Sequence, residues 1–109
     1  MVQERFAVGK ILGTAAAINV KCGFVPRRVE IQNYTDTNFP KLTWYQGMAA
    51  ASGWLEKTGT TYIARTLITV DGISAYAGSD ADSEGQGFTL GADADMNGAA
   101  DVIYYIAYR

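Results

Sequence analysis

Hydrophobic and polar residues alternate on both sides of a short turn in the first third of the chain. The apolar residues of 18–22 occupy every second position before the turn, and those of 28–33 do so after it. A period of two places successive side chains on opposite faces of a β-strand. The turn contains Gly23, which tolerates unusual φ angles, and Pro26, which fixes φ and has no N–H. We therefore predict two strands joined by a stiff turn, with Phe24 closing one end of the core.

The same alternation, interrupted by turn residues, predicts further strands along the rest of the chain. The predicted strands cover residues 3–12, 15–22, 28–33, 41–45, 54–57, 60–70, 73–76, 88–90 and 101–108. Asp71-Gly72 is typical of a tight hairpin, and the strand before it is expected to break near Ala64 or Arg65. Residues 46–53 are too few for an independent helix and are predicted to form a loop or a single turn. Short strands separated by turns favour one all-β domain, residues 1–109, built as a two-sheet sandwich or jelly-roll-like barrel of about eight short strands.

The last predicted strand, residues 101–108, is apolar on both faces. Strands of this kind lie inside a sheet, with each face covered. We expect loops or another subunit to cover the second face. Earlier in the chain, Trp44 is predicted to lie in the core, and Tyr45 on the opposite, wetter face.

Composition restricts the class of protein. The chain has 109 residues, 49% of them hydrophobic and 18% charged, which suits one globular domain. Cys22 is the one cysteine, so an intrachain disulfide is impossible, and we predict a small buried hydrophobic side chain there. No basic leader followed by an apolar run opens the sequence, and no stretch approaches the ~20 apolar residues of a membrane span. We therefore expect synthesis in the cytoplasm and no membrane partner.

The absence of histidine narrows the possible chemistry. Histidine is the commonest general base near neutral pH and the commonest metal ligand, and the sequence has none. Pairs of carboxylates can still perform acid–base catalysis, but the candidates here lie in glycine-rich loops, where solvated turns are the ordinary explanation. We predict no catalytic residue and no enzymatic activity.

Two acidic loops space oxygen ligands at alternate positions, as calcium-binding loops do. The spaced residues are Asp80, Asp82 and Glu84 in one loop and Asp93, Asp95 and Asn97 in the other. Neither loop completes the twelve-residue pattern with its closing glutamate, so polar turns are favoured and no metal or cofactor is predicted. The only basic cluster is Arg27-Arg28, and the pI is about 4.9, so nucleic acid is not an expected partner.

Aromatic residues leave a further alternative open. A platform for sugars is possible among residues Trp44, Tyr45, Trp54, Tyr62 and Tyr76.

Two stretches carry a resemblance to a known class of proteins. The run Gly23-Phe24-Val25-Pro26-Arg27-Arg28-Val29-Glu30-Ile31-Gln32-Asn33 resembles the Gly-Phe-x-Pro-x-x-Val-x-Ile-x-Asn segment of small tailed-bacteriophage virion proteins. The end of the chain, from Gly87-Phe88-Thr89-Leu90 to Tyr104-Tyr105-Ile106-Ala107-Tyr108-Arg109, is similar to their closing pattern, and Gly72-Ile73 and Tyr76 extend the likeness. The resemblance implies a head decoration (cement) protein more than a tail component, and it offers no catalytic residue.

The expected function is therefore structural. Many copies, as dimers or trimers, would bind major capsid protein on the outside of an icosahedral head and staple neighbouring subunits together at the virion surface. The residues predicted to contact partners are Val2, Gln3, Glu4, Arg5, Tyr34, Asp36, Phe39, Met48, Trp54, Asp80, Asp82, Tyr105 and Tyr108. The alternative is a tail, fibre or baseplate module that recognises a host glycan through surface aromatic residues.

Overall fold

Eight antiparallel β-strands form the fold in the computed structural model, which describes residues 6–36, 38–58, 63–78 and 85–109. The strands are β1 (Phe6–Leu12), β2 (Ile18–Lys21), β3 (Arg28–Asn33), β4 (Lys41–Tyr45), β5 (Ser52–Thr58), β6 (Ile63–Tyr76), β7 (Gly87–Leu90) and β8 (Val102–Tyr108). The described residues contain no helix, so the all-β prediction is confirmed. Residues 46–51 form a short irregular loop, as predicted, with left-handed φ angles at Gly47 and Ala51.

All eight strands belong to one hydrogen-bonded sheet, in the order β1-β8-β3-β4-β5-β6-β7-β2. The sheet curls into a half-barrel. Its two ends approach across the core, where the rings of Phe88 on β7 and Tyr105 on β8 meet edge to face at 5.4 Å. The predicted division into two sheets is not confirmed, because β6 continues from one region of the sheet into the other.

The prediction of a hairpin at Asp71-Gly72 is wrong, because both residues lie within the single strand β6. β6 pairs with β5 as far as Ile68 and again at Ile73, opposite Ser52, and its last four residues, from Ile73 onward, pair with β7. Asp71 does adopt a left-handed φ of 58°, as a turn residue would. However, the Gly72 N–H donates to the Ala51 carbonyl, and the Gly72 carbonyl accepts from Gly91 N–H. These contacts with other segments make the dipeptide a bend within one strand, where the register with β5 shifts and after which the pairing with β7 begins. The expected break near Ala64 or Arg65 does not occur.

The core lies inside the curl and is lined by alternate residues of each strand. Val29 and Ile31 of β3 are fully buried, while Arg28, Glu30 and Gln32 point to the outer face. The core side chains are Ile11, Val20, Phe24, Val29, Ile31, Leu42, Trp44, Leu55, Ile73, Phe88, Leu90, Met96, Ile103 and Ala107. Phe24 and Trp44 are buried as predicted, and the partly buried Cys22 packs against the same cluster.

The strand β8 is internal, but it lies beside an edge. It is hydrogen-bonded to β3 on one side and to β1 on the other, and β1 is the edge strand. Its inner residues Ile103 and Ala107 are buried, whereas Tyr104 on the outer face is 46% exposed. The described residues therefore leave this face only partly covered, and its cover by another subunit stays a prediction.

Two buried asparagines attach the loop before β8 to the sheet. The Asn33 amide nitrogen donates to the Asp95 carbonyl at 3.0 Å and to the Asp101 carboxylate at 2.9 Å. The Asn97 amide nitrogen donates to the carbonyls of Ala16 and Gly91 at 2.7 and 2.9 Å. Both asparagines are fully buried, so one loop is fixed to β3 and to the β1–β2 connection.

Candidate functional site

The outer face of β1 and β8 is an apolar surface on the outside of the sheet. The register places Phe6 opposite Tyr108, Val8 opposite Ile106, Lys10 opposite Tyr104 and Leu12 opposite Val102. All of these side chains share the outer face, because their neighbours in sequence line the core. Lys10 is the one charged residue of β1.

Five large hydrophobic residues of this region are exposed, and we call them the β1–β8 patch. Their exposed fractions are 54% for Phe6, 64% for Val8, 59% for Leu12, 56% for Tyr34 and 46% for Tyr104. An aromatic side chain presents about 150–250 Å². The three half-exposed rings therefore contribute roughly 300 Å², and the two aliphatic residues bring the patch to roughly 500 Å². Patches of this size on a monomer commonly mark sites of interaction.

The patch has a defined shape. The rings of Tyr34 and Tyr104 pack edge to face with centroids 5.0 Å apart, which links the loop after β3 to β8. Beside them, a groove of about 270 Å³ is lined by both tyrosines together with Glu30, Gln32 and Lys41. The patch therefore ends in a groove over β8, β3 and β4 that is lined by both aromatic and charged side chains.

Charged side chains of both signs lie together on the outer face of β3 and β4. The Glu30 Oε1 atom lies 3.1 Å from both Lys41 Nζ and Arg28 Nη2, and the Tyr108 hydroxyl donates to Oε2 at 3.3 Å. Partial burial opposes ionisation of Glu30, but the contacts with Lys41 and Arg28 outweigh it and lower the pKa of the carboxyl. The Arg28 guanidinium also lies over the rings of Tyr108 and Tyr45, at 5.1 and 5.8 Å. Glu30 is thus held ionised, with its charge compensated.

A second group of exposed apolar side chains lies on the outer face of β4, β5 and β6. Tyr45 is 45% exposed, Trp54 is 40% exposed and Leu67 is 46% exposed. A groove of about 180 Å³ is lined by Tyr45 and Trp54 with Thr43, Glu56 and Arg65. The prediction that Tyr45 lies on the wetter face is confirmed.

The predicted contact residues fall in several different places. Tyr34 belongs to the patch, and Phe39 is 51% exposed on the same loop, in which Asp36 is partly exposed. Trp54 lines the second groove, and Tyr108 lies half-buried on the outer face. The residues outside the described part of the chain are Val2, Gln3, Glu4, Arg5, Asp80 and Asp82.

Two of the predicted contact residues face inward. Tyr105 lies on the inner face of β8 against Phe88, so Tyr108 is the member of that pair on the outer face. Met48 packs against the core, and its sulfur lies 3.3 Å from the Tyr45 backbone nitrogen, which donates to it. These positions leave little of either side chain for a partner.

The sequence pattern did not reveal that Phe6, Val8 and Leu12 are exposed. Alternation puts them on one face but does not say whether that face is inside. The structure supplies the reason, because Gly9 lies on the inner face, where a Cβ would come within 2.7 Å of the Tyr105 ring. A small residue on the inner face leaves room for a large side chain of the neighbouring strand.

The loop at residues 91–100 forms polar turns. The Asp93 carboxylate accepts from the backbone N–H groups of Asp95 and Met96 at 3.0 and 3.2 Å, and Asp95 forms an ion pair with Lys57. Burial, followed by the charges of Asp95 and Asp71, raises the pKa of Asp93 against the effect of these hydrogen bonds. Within the described ranges, no three His, Cys, Asp or Glu side chains are grouped so that they could hold a metal ion.

That part of the chain also contains no helix with the length and apolarity required to cross a membrane. Comparison of the chain with protein-family models, with curated proteins and with solved structures gives no match.

Proposed function

We propose that this chain is a bacteriophage capsid decoration protein, which binds the outside of an icosahedral head and staples neighbouring major capsid subunits. The observation that carries the proposal is the exposed β1–β8 patch on a rigid β scaffold. The sequence resemblance to small tailed-phage virion proteins supports major capsid protein as the partner. The protein would be made in the host cytoplasm and function at the virion surface, as dimers or trimers.

The size of the patch favours attachment at more than one site. Burying roughly 500 Å² of apolar surface at about 25 cal/mol per Å² gains at most roughly 12 kcal/mol. Association costs about 4–15 kcal/mol in lost freedom of motion. The patch alone would therefore bind weakly, and a second contact, such as the exposed Phe39 on the loop after β3, would make binding tight. A protein that needs two contacts on two subunits staples them.

Binding to the assembled shell would stabilise it by mass action, because the dissociated subunits lack the composite site. The test uses heads of the phage whose genome carries this chain, prepared without the protein and then mixed with purified variants. We expect Val8→Lys to abolish co-sedimentation with heads and the rise in their melting temperature. The matched control is Val70→Lys, because Val70 is 68% exposed on the β6 bend, outside the patch.

Both variants should keep the wild-type unfolding midpoint, since both positions are exposed. Heads that melt at the same temperature with and without the wild-type protein would contradict the capsid role. Wild-type stabilisation that survives Val8→Lys would assign docking to another surface.

A tail, fibre or baseplate location is the second candidate, and the exposed rings of Tyr45 and Trp54 favour it because such modules contact host surfaces. Copy number in purified virions separates the two locations. Hundreds of copies would indicate the head, and a handful the tail.

A further inference from the structure

The groove between Tyr45 and Trp54 combines aromatic rings with charged side chains, whereas the β1–β8 patch consists of hydrophobic residues. Trp54 on β5 lies opposite Thr43 on β4 and opposite Leu67 on β6, so all three share the outer face. Tyr45 lies two residues beyond Thr43 on the same strand, diagonal to Trp54. Diagonal neighbours on a sheet are about 7–8 Å apart, and here both rings line the same groove of about 180 Å³.

The groove is lined by Tyr45 on β4, by Trp54 on β5 and by an ion pair between side chains of β5 and β6. Arg65 Nη2 lies 2.7 Å from Glu56 Oε1, and Arg65 Nε donates to the same oxygen at 3.0 Å. Both contacts use Oε1, so neither engages the other carboxylate oxygen. The hydroxyl of Thr43, which lines the same groove, adds a group that can donate and accept.

We propose that this groove binds a neutral pyranose oligosaccharide. A pyranose has apolar C–H faces, which stack on aromatic rings, and equatorial hydroxyls, which pair with carboxylate and guanidinium groups in the ring plane. The rings of Tyr45 and Trp54 supply the first kind of contact, and Glu56 with Arg65 supplies the second. All of these groups are present on one rigid sheet surface, so binding requires little ordering of the protein.

The charge of the groove selects against anionic ligands. The positive charge of Arg65 is compensated by Glu56 at 2.7 Å, and that of Arg28, which lies over the Tyr45 ring, is paired with Glu30 at 3.1 Å. The charges that line the groove are therefore paired and offer little attraction for phosphate or for acidic sugars. Exposed aromatic rings also stack on nucleic-acid bases, but single-strand binding sites add a positively charged track for the backbone. The compensated pair therefore favours an uncharged sugar over a nucleic acid.

The test measures binding of cellohexaose, chitohexaose and maltohexaose to the full chain by isothermal titration calorimetry and saturation-transfer NMR. We expect one of these probes to bind in the micromolar to millimolar range. Trp54→Ala and Tyr45→Ala should each weaken it by about tenfold or more, since each removes a stacking surface. Glu56→Gln should weaken it less, because an amide oxygen still accepts a hydrogen bond.

Leu67→Ala is the matched control. Leu67 is 46% exposed on the same face beside Trp54, but it does not line the groove. We expect Leu67→Ala, and Val8→Lys in the β1–β8 patch, to bind the sugar as the wild type does. This result would show that sugar binding in the groove does not depend on the proposed capsid role.

Failure of all three sugars to bind at millimolar concentration would overturn the proposal. So would undiminished binding by folded Trp54→Ala and Tyr45→Ala proteins, or tighter binding of oligo-dT than of any sugar. Far-UV circular dichroism and the unfolding midpoint establish that each variant is folded. Because there are two aromatic variants, the test can still be made if one of them does not fold.

Discussion

Replacing Asn97 by alanine should remove one of the main attachments of the loop before β8. The Asn97 side chain is fully buried and makes three hydrogen bonds. Its Oδ1 atom accepts from Thr14 N–H at 2.9 Å, and its nitrogen donates to the carbonyls of Ala16 and Gly91. Alanine leaves these three backbone groups without the partners that the amide provides.

The expected loss follows from those contacts. A typical intramolecular hydrogen bond contributes about 1 kcal/mol net, and a buried group left unpaired costs about 1–3 kcal/mol. Ala16 is exposed, so its carbonyl can bind water in the variant, which lowers the total. We expect Asn97→Ala to reduce the free energy of unfolding by roughly 2–4 kcal/mol. That is a large fraction of the about 5–15 kcal/mol typical of a domain, and it corresponds to a fall in melting temperature of roughly 10–25 °C.

The assay is urea unfolding followed by far-UV circular dichroism and tryptophan fluorescence. Asn19→Ala is the matched control, because Asn19 is exposed and its side chain accepts one hydrogen bond from the Thr89 hydroxyl, at 2.7 Å. It should cost less than about 0.5 kcal/mol. Asn97→Asp keeps the acceptor for Thr14 but turns a second oxygen towards two carbonyls, so it should also destabilise the fold. Equal stability of the two alanine variants would refute the reasoning.

Three further predictions concern pH and packing. The pKa of Glu30 is lowered in the fold, so the stability from its ion pairs is present above its usual value near 4.5 and is lost as the pH falls. Urea titrations should therefore show Glu30→Gln less stable than the wild type near neutral pH, with a gap that narrows as the pH falls below 4.5; a constant gap would contradict this. The pKa of Asp93 is raised above its usual 3.8, so the wild type loses stability as the pH rises through the folded pKa. Asp93→Asn keeps the accepting oxygen, and its melting temperature should exceed that of the wild type at neutral pH but not near pH 3; a lower midpoint at neutral pH would argue against it. Gly9→Ala places a Cβ 2.7 Å from the Tyr105 ring and should cost about 1–3 kcal/mol in thermal melts, partly recovered by adding Tyr105→Leu; an unchanged midpoint for Gly9→Ala would show that the ring moves aside freely.

Local pattern predicted the parts of the fold in which alternation and turn chemistry agree. The bounds of β3 and β4 match the prediction residue for residue, because both strands alternate cleanly and each begins just after a turn that contains proline. Phe24 and Trp44 are in the core for the same reason. These features depend on interactions close in sequence.

The features that the pattern missed depend on contacts distant in sequence. Asp71-Gly72 has the chemistry of a hairpin, but Ala51 and Gly91 bind its backbone and keep the strand continuous. Burial of β1 could not be assigned to one face without knowing that Tyr105 fills the space over Gly9. The candidate patch was therefore only partly foreseen: Tyr34 was a predicted contact residue, whereas the exposure of the outer side chains of β1 was not.

The pairing of β1 with β8 has a consequence for biosynthesis. Phe6 lies opposite Tyr108, so β1 cannot find its partner until β8, far along the chain, has left the ribosome. Pairings between segments so distant in sequence form slowly. The apolar surface that these two strands share exists only once both have been made and paired, so a chain that lacks β8 does not present the assembled β1–β8 surface to the shell.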